Sequence, residues 1–491
     1  LAGRYTTGSY NTFVGSEAGR GGTTSAPYSS GASNTAVGAY ALDAFTTGYN
    51  NTALGMRAGT AVTTGFGNVY IGYNSGYYAT TGRGNVAIGA STQQGASGQT
   101  TGTYNVSLGE NALFSLESGN HNFVVGSNAG YSLTTGENNI IMGASAGDAL
   151  TSTSNSVIIG RAAGTAINSA DANGVVLLGA YAGTAITSGI GNTAIGTSAL
   201  AAEDDGDYNT AVGYQALTAQ TGVSGEVANT AVGWEAGLSL TTGNQNTFIG
   251  KRAAGATQDI DRAVAIGVEA LGADNATSAA DGTVAVGWRA GYSINSGIGN
   301  TAIGYEALKT EDTGGGNTAI GYQALKLNNK DSSTAGNTVI GYQAGVNYTG
   351  HQRNTIIGYQ AASGSDGGEN NNTIIGYKAG LSINSNDSLD NVIIGKEAGT
   401  GGTGKIEFTT IIGSGAMNSS ANQEQSGTVA IGYKALEALT SGGGNLAIGY
   451  EAAHLLTTGG GNTAIGFDAM KNLVSGAGNV AIGHEAGEGF E

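Results

Sequence analysis

The chain has 491 residues, with 89 Gly, one Pro and no Cys, and its 35 acidic and 18 basic residues leave a net charge of −17. The missing cysteines exclude a disulfide scaffold or a cysteine-ligated metal, the acidic balance speaks against nucleic acid as a partner, and no apolar run reaches the roughly 18 residues of a membrane-spanning helix. Gly without a three-residue period excludes collagen, and the many β-branched residues among the 40% apolar ones argue against disorder.

The opening stretch, "LAGRYTTGSYNTFVG", already contains the unit that fills the chain. A Gly closes an N-T-A-I-like element at Gly15, Gly38, Gly55, Gly72, Gly89 and onward to Gly483, 27 times in all; the commonest spacing is 17 residues, and after the first interval every spacing lies between 17 and 20. Counted from this anchor, the preceding residue is Ile, Val or Leu in 26 repeats and Met142 in the other; the residue four before it is Asn in 21, and the residue three after it is Ala in 25. Ala2 and Gly3 occupy the columns held by Ala18 and Gly19 one repeat later. The chain therefore begins mid-repeat, which predicts a section of a longer fibre or a processed product.

A period of 17 is too short for a helix pair or a propeller blade, and Gly in every core beside Thr, Val and Ile opposes helices. The pattern predicts an all-β fold, a parallel β-solenoid (β-roll) of about 27 coils of 17–20 residues, running as one continuous array over residues 1–491. In the clearest repeats, "GNTAIGYEAL" (Gly299 to Leu308) and "GNTAIGYQAL" (Gly316 to Leu325), the structural positions are Asn300, Ile303, Gly304 and Ala307, then Asn317, Ile320, Gly321 and Ala324. A first strand ends at the Gly, a second short strand "YEAL" follows, and a polar loop returns. The Gly supplies a backbone angle or a close approach that a Cβ forbids. The Asn column stacks as an amide ladder.

Side chains alternate along a strand, so the residues three and one before the anchor share a face and the residue between them points the other way. Ile303 is expected in the coil interior. The intervening column, with Ala302, Ala319, Ile356, Ile374, Ile393 and Ile411, is expected to face neighbouring chains. A strand apolar on both faces is buried on both, and this helix-free chain offers no cover of its own, so self-association is predicted.

Candidate chemistry is sparse. The acidic run Glu203 to Asp207 could hold Ca²⁺ but lacks the full calcium-loop pattern and reads as a solvated loop. The "GGGN" stretch, Gly314 to Asn317, has no Lys-Ser/Thr after it and reads as a turn. The position after the anchor holds Tyr305, Tyr322, Tyr342, Tyr359 and Tyr377 in five successive repeats, and Trp234, Trp288, Tyr433, Tyr450 and Phe467 elsewhere. Such a row could bind a glycan; its simpler reading is a packing ladder. His121, His351, His454 and His484 lack metal-ligand spacing and read as solvated surface residues. The Thr pairs, such as Thr63-Thr64 and Thr241-Thr242, are adjacent and cannot share one strand face, which speaks against an ice-binding surface. No catalytic residue, metal or cofactor is expected.

The "NTAIGYEA" core resembles the repeat of trimeric autotransporter adhesin heads, and the fuller "TTG-x-x-NTAIGY-x-AL" pattern, clear at Thr46 to Gly55 and Thr457 to Ala469, resembles repeat regions of phage tail fibres and related bacterial surface proteins. The resemblance covers essentially the whole chain. It implies a left-handed roll of three intertwined chains, a homotrimer on a virion or outside a cell. The function it implies is a fibre shaft that holds a receptor-binding tip away from the particle; the alternative is a cell-surface adhesin binding host, matrix or glycan ligands along its side. The partners implied are the chain itself, a virion baseplate or cell-surface anchor, and a host surface glycan, with no membrane insertion of this segment and no enzymatic activity.

Overall fold

The computed structural model describes residues 1–489 apart from 23, 25–27, 96–99, 222–223, 273–279, 329–334, 366–368, 384–387, 402–404 and 420–423. The chain is an all-β parallel solenoid that divides into two compact units, Leu1–Gln245 and Asn246–Glu491. Each coil of either unit contributes one three-residue strand, from Thr12–Val14 in the first unit and from Thr247–Ile249 in the second. Successive strands pair in parallel with like columns in register. Thr193, Ala194 and Ile195 lie on Thr210, Ala211 and Val212 in the first unit, and Thr301, Ala302 and Ile303 lie on Thr318, Ala319 and Ile320 in the second. The first unit also has a two-stranded pairing of Gly206–Asp207 with Gly225–Glu226, and a 3₁₀ turn at Ala170–Ala172 whose N-cap, Ser169, accepts from the Asp171 amide.

The strand faces are the reverse of the expectation. Ala302, Ala319, Ile356, Ile374 and Ile393 are fully buried and Ile411 nearly so, whereas Ile303 is 37% exposed. The column two before the anchor fills the coil interior, and the Thr301 and Ile303 columns form the outer face. The reason lies in what faces the strand across the thin coil. The Ala three after the anchor and the residue four after it, such as Ala307 and Leu308, are also fully buried, so one inward strand residue and one residue from the far side share each layer. In many coils their sizes are reciprocal: Ala194 stands opposite Leu200 and Ala302 opposite Leu308, whereas Leu177 stands opposite Gly183 and Ile374 opposite Gly380. A Cβ added to Gly183 would lie 2.8 Å from Leu177 Cδ2. Where both columns are small, as at Ala285 and Gly291, Ile294 reaches into the layer instead, its Cδ1 2.9 Å from where a Cβ at Gly291 would lie.

"YEAL" is not a strand. Tyr305–Leu308 form tight turns in which Glu306 and Leu308 take left-handed backbone angles, φ 51° and 49°. These unusual angles are held by backbone bonds running both ways along the stack, from Glu306 N to Trp288 O at 2.9 Å and from Leu308 N to Ala324 O at 3.0 Å. The turn begins at Gly304, whose φ is +135° and whose missing Cβ would lie 2.3 Å from Gly321 O. Both the angle and the approach of the next coil require Gly.

The Asn residues four before the anchor line the interior as a ladder. Asn51 donates its amide N–H and its Nδ2 to Asn34 Oδ1, at 3.0 and 3.1 Å, and Nδ2 also donates to Gly65 O at 2.9 Å. Asn317 N donates to Asn300 Oδ1 at 2.9 Å, and Asn337 Nδ2 donates to Asn317 Oδ1 at 3.1 Å. Asn51 thus ties its own return loop to the coil before it, and most of these buried amides are satisfied as burial demands, Asn209 Nδ2 being an exception.

Candidate functional site

The in-register stacking that aligns the strands also aligns the residue after each anchor. In the second unit Trp288, Tyr305, Tyr322, Tyr342, Tyr359 and Tyr377 form one continuous stack, with ring centroids 4.7, 5.0, 5.1, 5.0 and 5.4 Å apart and no interplanar angle above 17°. The spacing follows that of parallel strands, so the rings are held face to face by the backbone. A second stack joins Tyr433, Tyr450, Phe467 and His484. The five tyrosines of the first stack are 40–45% exposed. Both faces of Tyr305, Tyr322, Tyr342 and Tyr359 lie against neighbouring rings, and what remains for solvent is the ring edge and hydroxyl. A sugar stacking on an aromatic face needs a free face, so the geometry of these four rings is that of a packing ladder.

Beside the rings runs a polar ladder from the next column. Gln323 Nε2 donates to Glu306 Oε2 at 2.9 Å, Gln343 Nε2 to Gln323 Oε1 at 3.1 Å, and Gln360 Nε2 to Gln343 Oε1 at 3.1 Å. Glu306 ends it, paired with Lys309 at 2.5 Å and Lys326 at 2.7 Å. Burial pushes the Glu306 carboxyl up, but hydrogen bonds from Lys309, Lys326 and Gln323 outweigh it and bring its pKa down to about 2. At the far end of the stack, Lys378 Nζ lies 5.4 Å from the Tyr377 centroid.

The histidines are not all surface residues. His351 is completely buried, and its ring lies 3.7 Å from that of Tyr348. His121 stacks on Tyr104 and His484 on Phe467. His351 Nδ1 is 2.9 Å from Glu369 Oε2, and Ser365 lies one coil on, also fully buried. Ser, His and Glu are the residue types of a hydrolytic triad, but each is enclosed in the solenoid interior, where no substrate reaches them; a nucleophile must open onto a cleft. Sequence reading missed this interior polar group because a lone His and a loop Glu look solvated. The available signal is the column seven after the anchor. It is apolar at Leu116, Leu133, Leu150 and Ile167 but reads Glu311, Asn328, Tyr348 and Ser365 in four successive coils of the second unit.

Among the described residues, the acidic cluster close enough to share a cation is Glu203, Asp204 and Asp205. Glu203 is fully buried, and its Oε1 accepts from Gly206 N at 2.8 Å and Asp204 N at 3.1 Å. Glu311 makes the same bond to Gly314 N, at 2.7 Å, with Asp312 and Thr313 in place of the two aspartates. The buried Glu is thus a turn cap common to both coils. Burial, and then the adjacent Asp204, push the Asp205 carboxyl up. The Thr pairs are also engaged: Thr63 Oγ1 donates to Thr80 O at 3.2 Å.

No family model and no curated protein matches this chain. Among the described residues no helix is long and apolar enough to cross a membrane.

Proposed function

We propose that this chain is the structural shaft of an extracellular fibre, of the phage tail-fibre kind, built from a homotrimer of solenoids and holding a receptor-binding tip away from a particle. Its work is mechanical and it is not an enzyme. The observation that carries this reading is the outer strand face. Leu54, Ile88 and Leu108 in the first unit are 47, 36 and 46% exposed, and Ile249 and Ile303 in the second are 39 and 37% exposed. They belong to one column that repeats at the strand spacing, so each unit turns large apolar side chains to solvent on its outer strand face. The natural cover for rows of this period is an identical set of rows on another copy of the same chain. Sedimentation under native conditions tests it: the expected species has three times the 48.3 kDa chain mass, and a stable folded monomer overturns the assembly.

The second reading is a surface adhesin, favoured by the exposed tyrosine edges from Tyr305 to Tyr377. In that case a host glycan or matrix ligand binds along the side and an anchor replaces the baseplate. Changing Tyr322 and Tyr342 to Ala would then abolish cell attachment while leaving the oligomer intact; a shaft loses thermal stability instead.

A further inference from the structure

In the first unit, three successive coils build a recess unlike the closed ladders of the second. The positions two, five and six after the anchors at Gly109, Gly126 and Gly143 bring Asn111 and Asn128, Phe114, Tyr131 and Asp148, and Ser132 and Ala149 side by side. Phe114 and Tyr131 stack in parallel, 4.8 Å apart and 4° from coplanar. In the next coil the same columns drop to a carboxylate and a methyl group. The ring row therefore ends at Tyr131, and the step from ring to short side chains leaves a groove of about 600 Å³ lined by Asn111, Asn128, Tyr131, Ser132, Asp148 and Ala149.

All six lining residues are half-buried, so their polar groups are positioned rather than freely solvated. Asn111 Nδ2 donates to Asn128 Oδ1 at 3.0 Å. That bond fixes both amides and leaves the Asn128 NH₂ as a donor and Asn111 Oδ1 as an acceptor. Ser132 adds a hydroxyl, and Ser132 N donates to Asp148 O at 3.0 Å, which ties the two coils together. Burial pushes the Asp148 carboxyl up, opposed by the backbone amides of Asp148 and Ala149.

We propose that this groove is a subsite for one neutral pyranose ring, its C–H face against Tyr131 and its hydroxyls shared by Asp148, Asn128, Asn111 and Ser132. Tyr131 differs from the middle tyrosines of the long stack in having a ring on one side only. A sugar hydroxyl both donates and accepts, which suits a groove offering donors and acceptors together; an ammonium or guanidinium group only donates and leaves the amide NH₂ and Ser hydroxyl protons unused. Asp148 and the chain's net charge of −17 repel anionic sugars. The recess is wide enough for a ring with its water and belongs to the range of small-ligand sites. The site goes beyond the shaft reading and does not depend on the oligomeric state.

Saturation-transfer NMR on the full chain tests it, with D-glucose, D-galactose, D-mannose and L-rhamnose as separate probes and L-lysine methyl ester as the cationic control. At least one neutral sugar should show transfer to its ring protons, with an affinity on the order of 1 mM. Tyr131→Ala should weaken binding about tenfold or more and Asp148→Asn several-fold, with thermal melting reporting that both variants fold. Tyr214→Ala, at an exposed position outside the groove, should leave binding unchanged. The proposal is overturned if no sugar gives a signal, if the signal survives both groove variants, or if the lysine ester binds in the sugar's place.

Discussion

The ring of Tyr70 occupies the space that a side chain at Gly76 would need: a Cβ added to Gly76 would lie 2.4 Å from Tyr70 Cδ1. Tyr70 is fully buried, and on its other side its Cδ2 would sit 2.9 Å from a Cβ at Gly59, in the preceding coil. One large inward residue thus requires small partners in two layers.

Gly76→Leu should destabilise the first unit by about 1–3 kcal/mol or more through overpacking. The left-handed angle of Gly76 is not the obstacle, because Leu308 holds φ 49° at the corresponding position of its own coil. Tyr70→Ala alone should cost about 3–5 kcal/mol through the cavity it leaves. Combining the two restores the Ala-and-Leu pairing seen at Ala302 and Leu308, so the double variant should be less destabilised than the sum by at least about 1 kcal/mol. Urea denaturation of the four proteins measures the coupling, and strict additivity would separate the two columns.

Ala302→Asp and Ile303→Asp should behave oppositely. Ala302 is fully buried, and a carboxylate there has no partner, so several kcal/mol of stability should be lost. Ile303 lies on the outer face, and its change should alter the stability of the isolated chain by no more than about 1 kcal/mol. In the proposed assembly the same change desolvates a charge between copies and should shift the sedimenting species toward monomer. Equal melting losses for both variants would contradict the face assignment.

The period, the parallel register, the Gly anchors and the Asn ladder were legible because each is a strict column, and stacking turns columns into rows. Which strand face points inward was not legible from alternation, which says only that Thr301 and Ile303 oppose Ala302. Closure of the coil decides it, and closure runs through the left-handed residues Glu306 and Leu308, for which strand and helix propensities give no signal. The reciprocal sizes of Ala302 with Leu308 and Ile374 with Gly380 were present in the sequence and carry that information. The interior polar group escaped for another reason. Glu311 and Glu369 have the composition of a solvated loop, and only the coil geometry places them inside.

Stability of the second unit should fall in acid through Glu306. Its folded pKa, about 2, lies below the ordinary 4.5, so its pairing with Lys309 and Lys326 contributes fully above about pH 4.5 and is lost as pH falls toward 2. Glu306→Gln should lower the melting temperature at neutral pH and flatten its decline between those limits. Melting followed from pH 6 to pH 2 by circular dichroism compares the two slopes; parallel curves would remove Glu306 as the source.

The last test concerns the polar stretch inside the second unit. The Tyr348 hydroxyl has no hydrogen-bond partner among the described residues, although the side chain is completely buried. An enclosed hydroxyl without a well-formed bond carries a desolvation cost of about 1–3 kcal/mol; burial, and then the Glu369 carboxylate, push its pKa well above the usual tyrosine range, opposed by the nearby Ser365 hydroxyl. Tyr348→Phe keeps the ring against His351 and removes only that oxygen. It should leave stability unchanged or raise it by about 1 kcal/mol. Glu369→Ala removes the buried carboxylate 2.9 Å from His351 Nδ1 but leaves that nitrogen its bond to Glu369 O at 2.8 Å, so it should cost about 1–3 kcal/mol, chiefly through the space it vacates. Chemical denaturation separates the pair of outcomes. A loss above about 1 kcal/mol in Tyr348→Phe would mean that the hydroxyl is bonded in the folded chain, and the interior polar stretch would then be a satisfied network rather than a strained one.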